Sequence, residues 1–323
     1  MAWVAQLTVG LLVRKLLLSR PSYGTIKVRR GIRSRRKHAV DYCLLDDYNF
    51  ENSESISWYS RHATLRRSDI MTMLPEVVMS PVVIESWAVL LNHLESAEHL
   101  LPRMAFFGIR HMECIMQLMD IREAGSQSND ITDRLYHIWD TFIQDCDKTF
   151  NLNAEFIFVP VNIGGHFACV CINFGQQTVD LLDYQHHANW DQSEMCNVTR
   201  QVASAVSDYL DVRTDRGYEI TSFEHRQIPF RRQTPLPNIT ESGVFCMMYM
   251  LMYEGLPFEH PDLERKRNRR YLVVELVATL VLADINVNRD IFEAKLNGFI
   301  AGKEDLWAKL QKKRKIKAVL SKK

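Results

Sequence analysis

The chain has 323 residues, 46% of them hydrophobic, which suits one medium-sized domain with a sizeable core and appended segments. Its formal net charge of +1 hides an asymmetry: residues 1–40 carry ten Lys/Arg and no acid, residues 301–323 carry nine Lys/Arg beside Glu304 and Asp305, and residues 41–300 hold 21 basic and 37 acidic residues, a net of −16. An acidic body does not suit a nucleic-acid-binding face and suits a partner with a basic patch.

The charge pattern divides the chain into a basic N-terminal extension (1–40), a folded domain (41–300) and a basic C-terminal tail (301–323). Residues 2–19 are apolar but broken by Arg14 and Lys15, and the uninterrupted part is too short to span a bilayer. The stretch RRGIRSRRK (29–37) fits a transit-peptide composition and fits a disordered basic arm equally well. Seven cysteines (Cys43, Cys114, Cys146, Cys169, Cys171, Cys196 and Cys246), with no CxxC spacing, point to reduced thiols rather than a disulfide framework, and give no support for zinc or another cofactor.

Ser80-Pro81 reads as a helix N-cap followed by proline at the first helical position, and Ile84, Trp87, Ala88, Leu91 and Leu94 follow at helical spacing. Residues 129–144 repeat that pattern with Ile131, Leu135, Ile138 and Phe142. From residue 155 the texture changes. EFIFVPV (155–161), FACVCINF (167–174) and TVDLLDY (178–184) are short runs rich in aromatic and β-branched residues and read as strands, the second buried on both faces. Gly164-Gly165 turns the first into the second, and 175–177 makes a tight hairpin into the third. A helix over about 192–212 and a strand near 226–230 follow. GVFCMMYMLMY (243–253) is apolar nearly all round and reads as an interior helix; 271–285 reads as a buried helix interrupted by Glu275, not a membrane span. This order of helices, strands and helices predicts an α+β arrangement.

Folding the 167–184 hairpin about 175–177 brings residue 166 opposite 185 or 186, so Asp183 lies near His166 at the same end. A carboxylate there can hold an imidazole in one tautomer and stabilise its charged form. Ser242 sits just before Gly243 at the start of the interior helix, where free N–H groups and the positive end of the helix dipole favour a nucleophile. The blander reading is that Ser242 is an N-cap. His186-His187 lack further ligands at metal spacing and read as exposed loop residues.

Together, VPVNIGGHFACVCINFGQQTVDLLDY (159–184) and NITESGVFCMMYM (238–250) resemble the ubiquitin-like-protein-specific cysteine proteases, the SUMO-protease family. That family has a His followed by an aromatic residue after an apolar strand, an Asp one hairpin later, and Gln-x-Asn-x-x-Asp-Cys-Gly before a hydrophobic helix. MSPVVIESWAVLLNHLE (79–95) looks like the amino-terminal part of plant, transposon-associated members. The resemblance covers about 65–255 and implies a papain-like α+β fold with a central, mainly antiparallel sheet flanked by helices. His166 matches the general base, Asp183 the orienting acid and Ser242 the nucleophile. Phe167 stands for the usual Trp, Asn238 for the motif Asn and Gly243 for the motif Gly. Leu236 falls where the oxyanion Gln belongs, unless Gln233 takes that place through a loop shift, and Glu241 replaces the motif Asp.

The resemblance further implies a SUMO-type modifier or its conjugates as partner, with no membrane and no specific nucleic acid. Serine in place of cysteine implies weak or absent turnover, because a hydroxyl is far harder to ionise than a thiol. Two readings follow: a cysteine-type peptidase with impaired activity, or a pseudoprotease that binds a ubiquitin-like modifier or a nuclear partner without cleaving it. Cys246, one turn further in, reads as a core thiol. RKRNRR (265–270) and KKRKIK (312–317) resemble nuclear-localisation patches and fit solvated helix faces equally well. The expected location is the nucleus or cytoplasm, with organelle targeting by residues 1–40 as the alternative.

Overall fold

The structure is a computed structural model that describes residues 26–44, 55–58, 63–74, 77–98, 103–113, 133, 137, 140, 151–185, 187, 189–213, 219–229, 241–256 and 266–302. At its centre lies a five-stranded sheet of β3 (Met104–Phe106), β4 (Phe156–Ile163), β5 (His166–Asn173), β6 (Thr178–Asp183) and β7 (Glu224–Pro229), in that order. The β4–β5 and β5–β6 pairs are antiparallel, whereas β3 and β7 join the two sides parallel to their neighbours. A small antiparallel pair, β1 (Ser55–Trp58) and β2 (Thr64–Arg66), stands apart.

β5 is buried along its whole length, and the side-chain period of two divides it between two cores. Phe167, Cys169 and Cys171 join one core with the helices α1 (Ile26–Leu44), α3 (Pro81–Glu98), α5 (Ser242–Met252) and α6 (Lys266–Leu282). Ala168, Val170 and Ile172 join the other, against α4 (Glu194–Arg213). Between β2 and α3 a short helix, α2 (Arg67–Met71), packs its Ile70 into the first core. The expected α+β arrangement is therefore observed, with helices on both faces of the sheet.

α5 is enclosed on all sides over most of its length. Every residue from Ser242 to Leu251 is buried, as a helix apolar on all sides requires. It lies across β5 and β6, and the Trp87 indole of α3 donates to the Met247 carbonyl at 3.0 Å, locking α3 to it. α3 begins at Pro81 as expected, but the Ser80 hydroxyl is turned to Asp69 Oδ1, 3.0 Å away.

The expected domain boundary at residue 41 falls inside α1. Ala39, Val40, Tyr42 and Cys43 are core residues, and Tyr42 meets Phe292 and Phe299 edge-on at 5.6 and 5.5 Å. Arg36 pairs with Glu275 of α6, and Arg35 with Glu293. These cations are tied to the acidic body, which corrects the reading of 1–40 as an extension from residue 26 onward. The helix expected over 129–144 lies almost wholly outside the described residues, as does KKRKIK (312–317). Residues 271–282 belong to α6, with Leu276, Val277, Ala278, Leu280 and Val281 buried in the core. Among the described residues no helix is long and apolar enough to cross a membrane.

Candidate active site

The β4–β5 turn is two residues long, with Gly164 at φ 57° and Gly165 at φ 87° between the paired Ile163 and His166. Only glycine adopts two successive positive φ angles freely, which is why Gly-Gly stands here. The turn makes His166 the first residue of β5. The β5–β6 register pairs Cys169 with Leu182 and, continued along the ladder, sets residue 166 opposite 185. Asp183 thus closes β6 at the same end. His166 Nε2 lies 2.9 Å from Asp183 Oδ2 and 3.1 Å from Oδ1. The carboxylate fixes the proton on Nε2 and leaves Nδ1 with a free lone pair, the form a general base requires. Nδ1 is buried and has no hydrogen-bond partner among the described residues, Ser242 included.

Ser242 is the first residue of α5, and Glu241 occupies the N-cap position without a side-chain cap bond. The hydroxyl does not cap the helix, so the N-cap reading fails. Instead Ser242 Oγ accepts the backbone N–H of Phe167 at 3.0 Å, which ties it to the strand residue next to His166. Ser242 is 1% exposed. His166 and Asp183 are thus in contact, and Ser242 reaches the strand residue that follows His166.

The environment favours an ionised Asp183. Burial pushes its pKa up, but hydrogen bonds from His166 and His187 and the Gln185 N–H on Oδ1 (3.0 Å) outweigh burial and hold it below the ordinary carboxylate value. The Tyr249 hydroxyl of α5 donates to the Asp183 carbonyl at 3.0 Å. Burial, and then the nearby Asp183 charge, push that phenol well up, so it stays a donor. The Tyr184 ring lies 5.2 Å from the His166 ring and stacks on Phe245 at 5.4 Å, walling the imidazole from the side.

Several expectations are revised. His187 is not a bystander: its Nε2 lies 2.9 Å from Asp183 Oδ2, and it is only partly exposed. Nothing in the spacing signals this, since residue 187 lies past the end of β6. The ring of Phe167 is buried in the core, and its contribution to the site is its N–H. At Gly243 a Cβ would meet Met79 Sδ at 2.6 Å, so the glycine makes room for Met79. Val78 in turn presses on Gly165, 3.2 Å from where its Cβ would be. Cys246 is a core thiol as expected, its S–H on the Ala168 carbonyl at 3.3 Å. Gln233, Leu236 and Asn238 lie outside the described residues. Among the described residues no group of three or more His, Cys, Asp or Glu side chains is placed to hold a metal ion.

No protein-family model matches the sequence, and no curated protein is significantly similar to it. Solved structures are similar in fold. The C-terminal Ulp1 protease domain in complex with Smt3, the yeast ortholog of SUMO, is 15% identical with a TM-score of 0.51, over 78% of this chain and 95% of that one. The SUMO protease Ulp1 with its catalytic cysteine oxidized to a sulfonic acid is 13% identical with a TM-score of 0.52, over 84% of this chain and all of that one, at 100%. The same protease with the cysteine oxidized to a sulfinic acid is 14% identical with a TM-score of 0.50, over 83% and 98%. The chain has the α+β, papain-like cysteine protease fold of these domains.

Proposed function

We propose that this chain is a cysteine-peptidase-type domain that engages a SUMO-type ubiquitin-like modifier at the Ser242 end of the sheet, with hydrolysis of the modifier's precursor or lysine conjugate slowed by the serine. The observation that carries the reading is His166 Nε2 held 2.9 Å from Asp183 beside a hydroxyl bound to the Phe167 N–H. The shared fold with Ulp1, one of whose structures holds Smt3, supports the choice of partner.

In a turnover, Ser242 Oγ attacks the scissile carbonyl carbon while His166 Nδ1 takes the hydroxyl proton. The imidazolium, balanced by Asp183, then protonates the leaving amine, and water hydrolyses the ester left on Ser242. The start of α5 supplies a positive dipole end for the oxyanion. The first step requires a proton to leave an alcohol, which is far harder to ionise than a thiol.

A second reading, binding without cleavage, is favoured by one feature: the Ser242 hydroxyl is 1% exposed and already engaged with Phe167. Incubation of the full chain with a SUMO precursor and a SUMO–lysine conjugate separates the two. Slow turnover that disappears in Ser242→Ala supports the peptidase; binding with no turnover supports the pseudoprotease. Turnover gained in Ser242→Cys shows that the remaining machinery is intact. Absence of both binding and turnover overturns both readings. The nucleus or cytoplasm is the proposed location, and imaging of the tagged full chain tests it.

A further inference from the structure

A carboxylate that orients a catalytic imidazole needs only that one partner, yet Asp183 has two. His166 Nε2 and His187 Nε2 each lie 2.9 Å from the same oxygen, Oδ2, and the Gln185 N–H occupies Oδ1 at 3.0 Å. Asp183 is 1% exposed, so water does not dilute the contest between the rings. His187 is held in place for this contact. Its N–H donates to Gln227 Oε1 of β7, and Gln227 Nε2 returns a bond to the His187 carbonyl at 3.2 Å. A β7 side chain thus fixes the backbone of a residue beyond β6 so that its ring reaches back four positions to the carboxylate.

We propose that His187 is a positioning residue of this site, acting through Asp183 on the orientation and proton affinity of His166. The inference rests on the reading of His166 and Asp183 as a base and its orienting acid. When both rings are neutral, each donates its Nε2–H to Asp183 and they divide its hydrogen-bonding capacity. When His187 binds a proton, its cation offsets the carboxylate charge, and Asp183 stabilises a second imidazolium on His166 less well. One buried anion cannot balance two cations equally, so the rings titrate as a coupled pair. Among the described residues, the titratable groups facing Asp183 are His166 from β5, His187 and the Tyr249 phenol from α5, while β7 contributes the neutral amide of Gln227. The hydrogen bonds that hold Asp183 ionised against its burial agree with the geometry.

The test is an NMR titration of the full chain with ¹⁵N-labelled histidine, alone and as His187→Gln and His187→Ala. In the unaltered protein the His166 and His187 ring signals are expected to follow mirrored two-step curves. In His187→Gln, which keeps a donor but cannot bind a proton, the His166 ring signals should follow a single step displaced from the curve of the unaltered protein, because a neighbouring charge is gone. In His187→Ala the midpoint should move at least as far. Independent one-step curves in the unaltered protein, or a His166 midpoint unmoved in His187→Gln, overturn the inference. Should His187→Ala fail to fold, the unaltered protein and His187→Gln still decide it. Coupled curves together with no turnover from Ser242→Cys sink the peptidase reading and leave the linkage between the rings standing, so the two failures are distinguishable.

Discussion

Ser242 Oγ accepts the N–H of Phe167, the residue that follows His166, across 75 positions of sequence and 3.0 Å of space. This bond sets the start of the interior helix against the start of β5, and the Phe167 N–H is buried with it. Ser242→Ala is expected to leave that donor unsatisfied and to destabilise the protein by about 1–3 kcal/mol. Chemical denaturation of the two proteins checks it; equal stability would mean that another acceptor takes the N–H.

The orienting role of Asp183 is best read in a variant that turns over. In the Ser242→Cys background, His166→Ala is expected to abolish cleavage of a SUMO precursor, and Asp183→Asn to lower kcat by up to about 10⁴, the loss seen when a triad carboxylate no longer fixes the tautomer. The same carboxylate contributes to acid stability. Its folded pKa is depressed, so its stabilisation is complete above the unfolded carboxylate value of about 3.9 and is lost as pH falls through the lower folded value. The part of the stability gap between the unaltered protein and Asp183→Asn that comes from the carboxylate's own ionisation should therefore close only as pH falls below about 4.

His111 is a second source of pH dependence, of a different kind. It is buried, stacks on Phe107 at 4.7 Å, and accepts the Gly108 N–H on Nδ1 at 3.0 Å, which a protonated ring cannot do. Burial lowers its pKa to about 4 from an ordinary 6.5. The unfolded chain then binds more protons between those values, so stability is full above pH 6.5 and falls as pH drops towards 4, by about 3 kcal/mol in all. His111→Asn is expected to remove that slope in urea melts recorded from pH 7 to 4. An unchanged slope would assign the acid sensitivity elsewhere.

Met79 fills the space over Gly243, with its Sδ 2.6 Å and its Cβ 3.0 Å from the position a Cβ there would take. Gly243→Ala should overpack this contact and cost about 1–3 kcal/mol. Met79→Ala opens the space, so in the double variant the two losses should sum to less than their separate values, a coupling that a thermodynamic cycle measures. Simple additivity would mean that Met79 swings clear at no cost.

The β4–β5–β6 core was legible in the sequence because two features agree there: continuous apolar runs of strand length and Gly-Gly at a turn that needs positive φ. Register then follows from hairpin length, which is why Asp183 could be set beside His166 without coordinates. β3 escaped because three residues, Met104–Phe106, carry no readable period. α1 escaped because its arginines mask the Ala39, Val40 and Tyr42 face. His187 was missed because it lies beyond the ladder, where no periodicity says where a side chain points; its partner Gln227 comes from β7, forty residues on. A glycine such as Gly243 announces a close approach but not what approaches, and in the structure Met79 lies over it.

The packing of α1 bears on any maturation of this protein. Tyr42 lies between Phe292 and Phe299, and the Arg67 guanidinium lies 4.7 Å from the centre of its ring. A processing enzyme that clipped a leader at residue 40 would take Ala39 and Val40 out of the core and leave Tyr42 next to a new chain end. Removal confined to the first 25 residues would leave that packing in place. A cut upstream of Arg35 would keep Arg35 and Arg36 in the product as fasteners to Glu293 and Glu275.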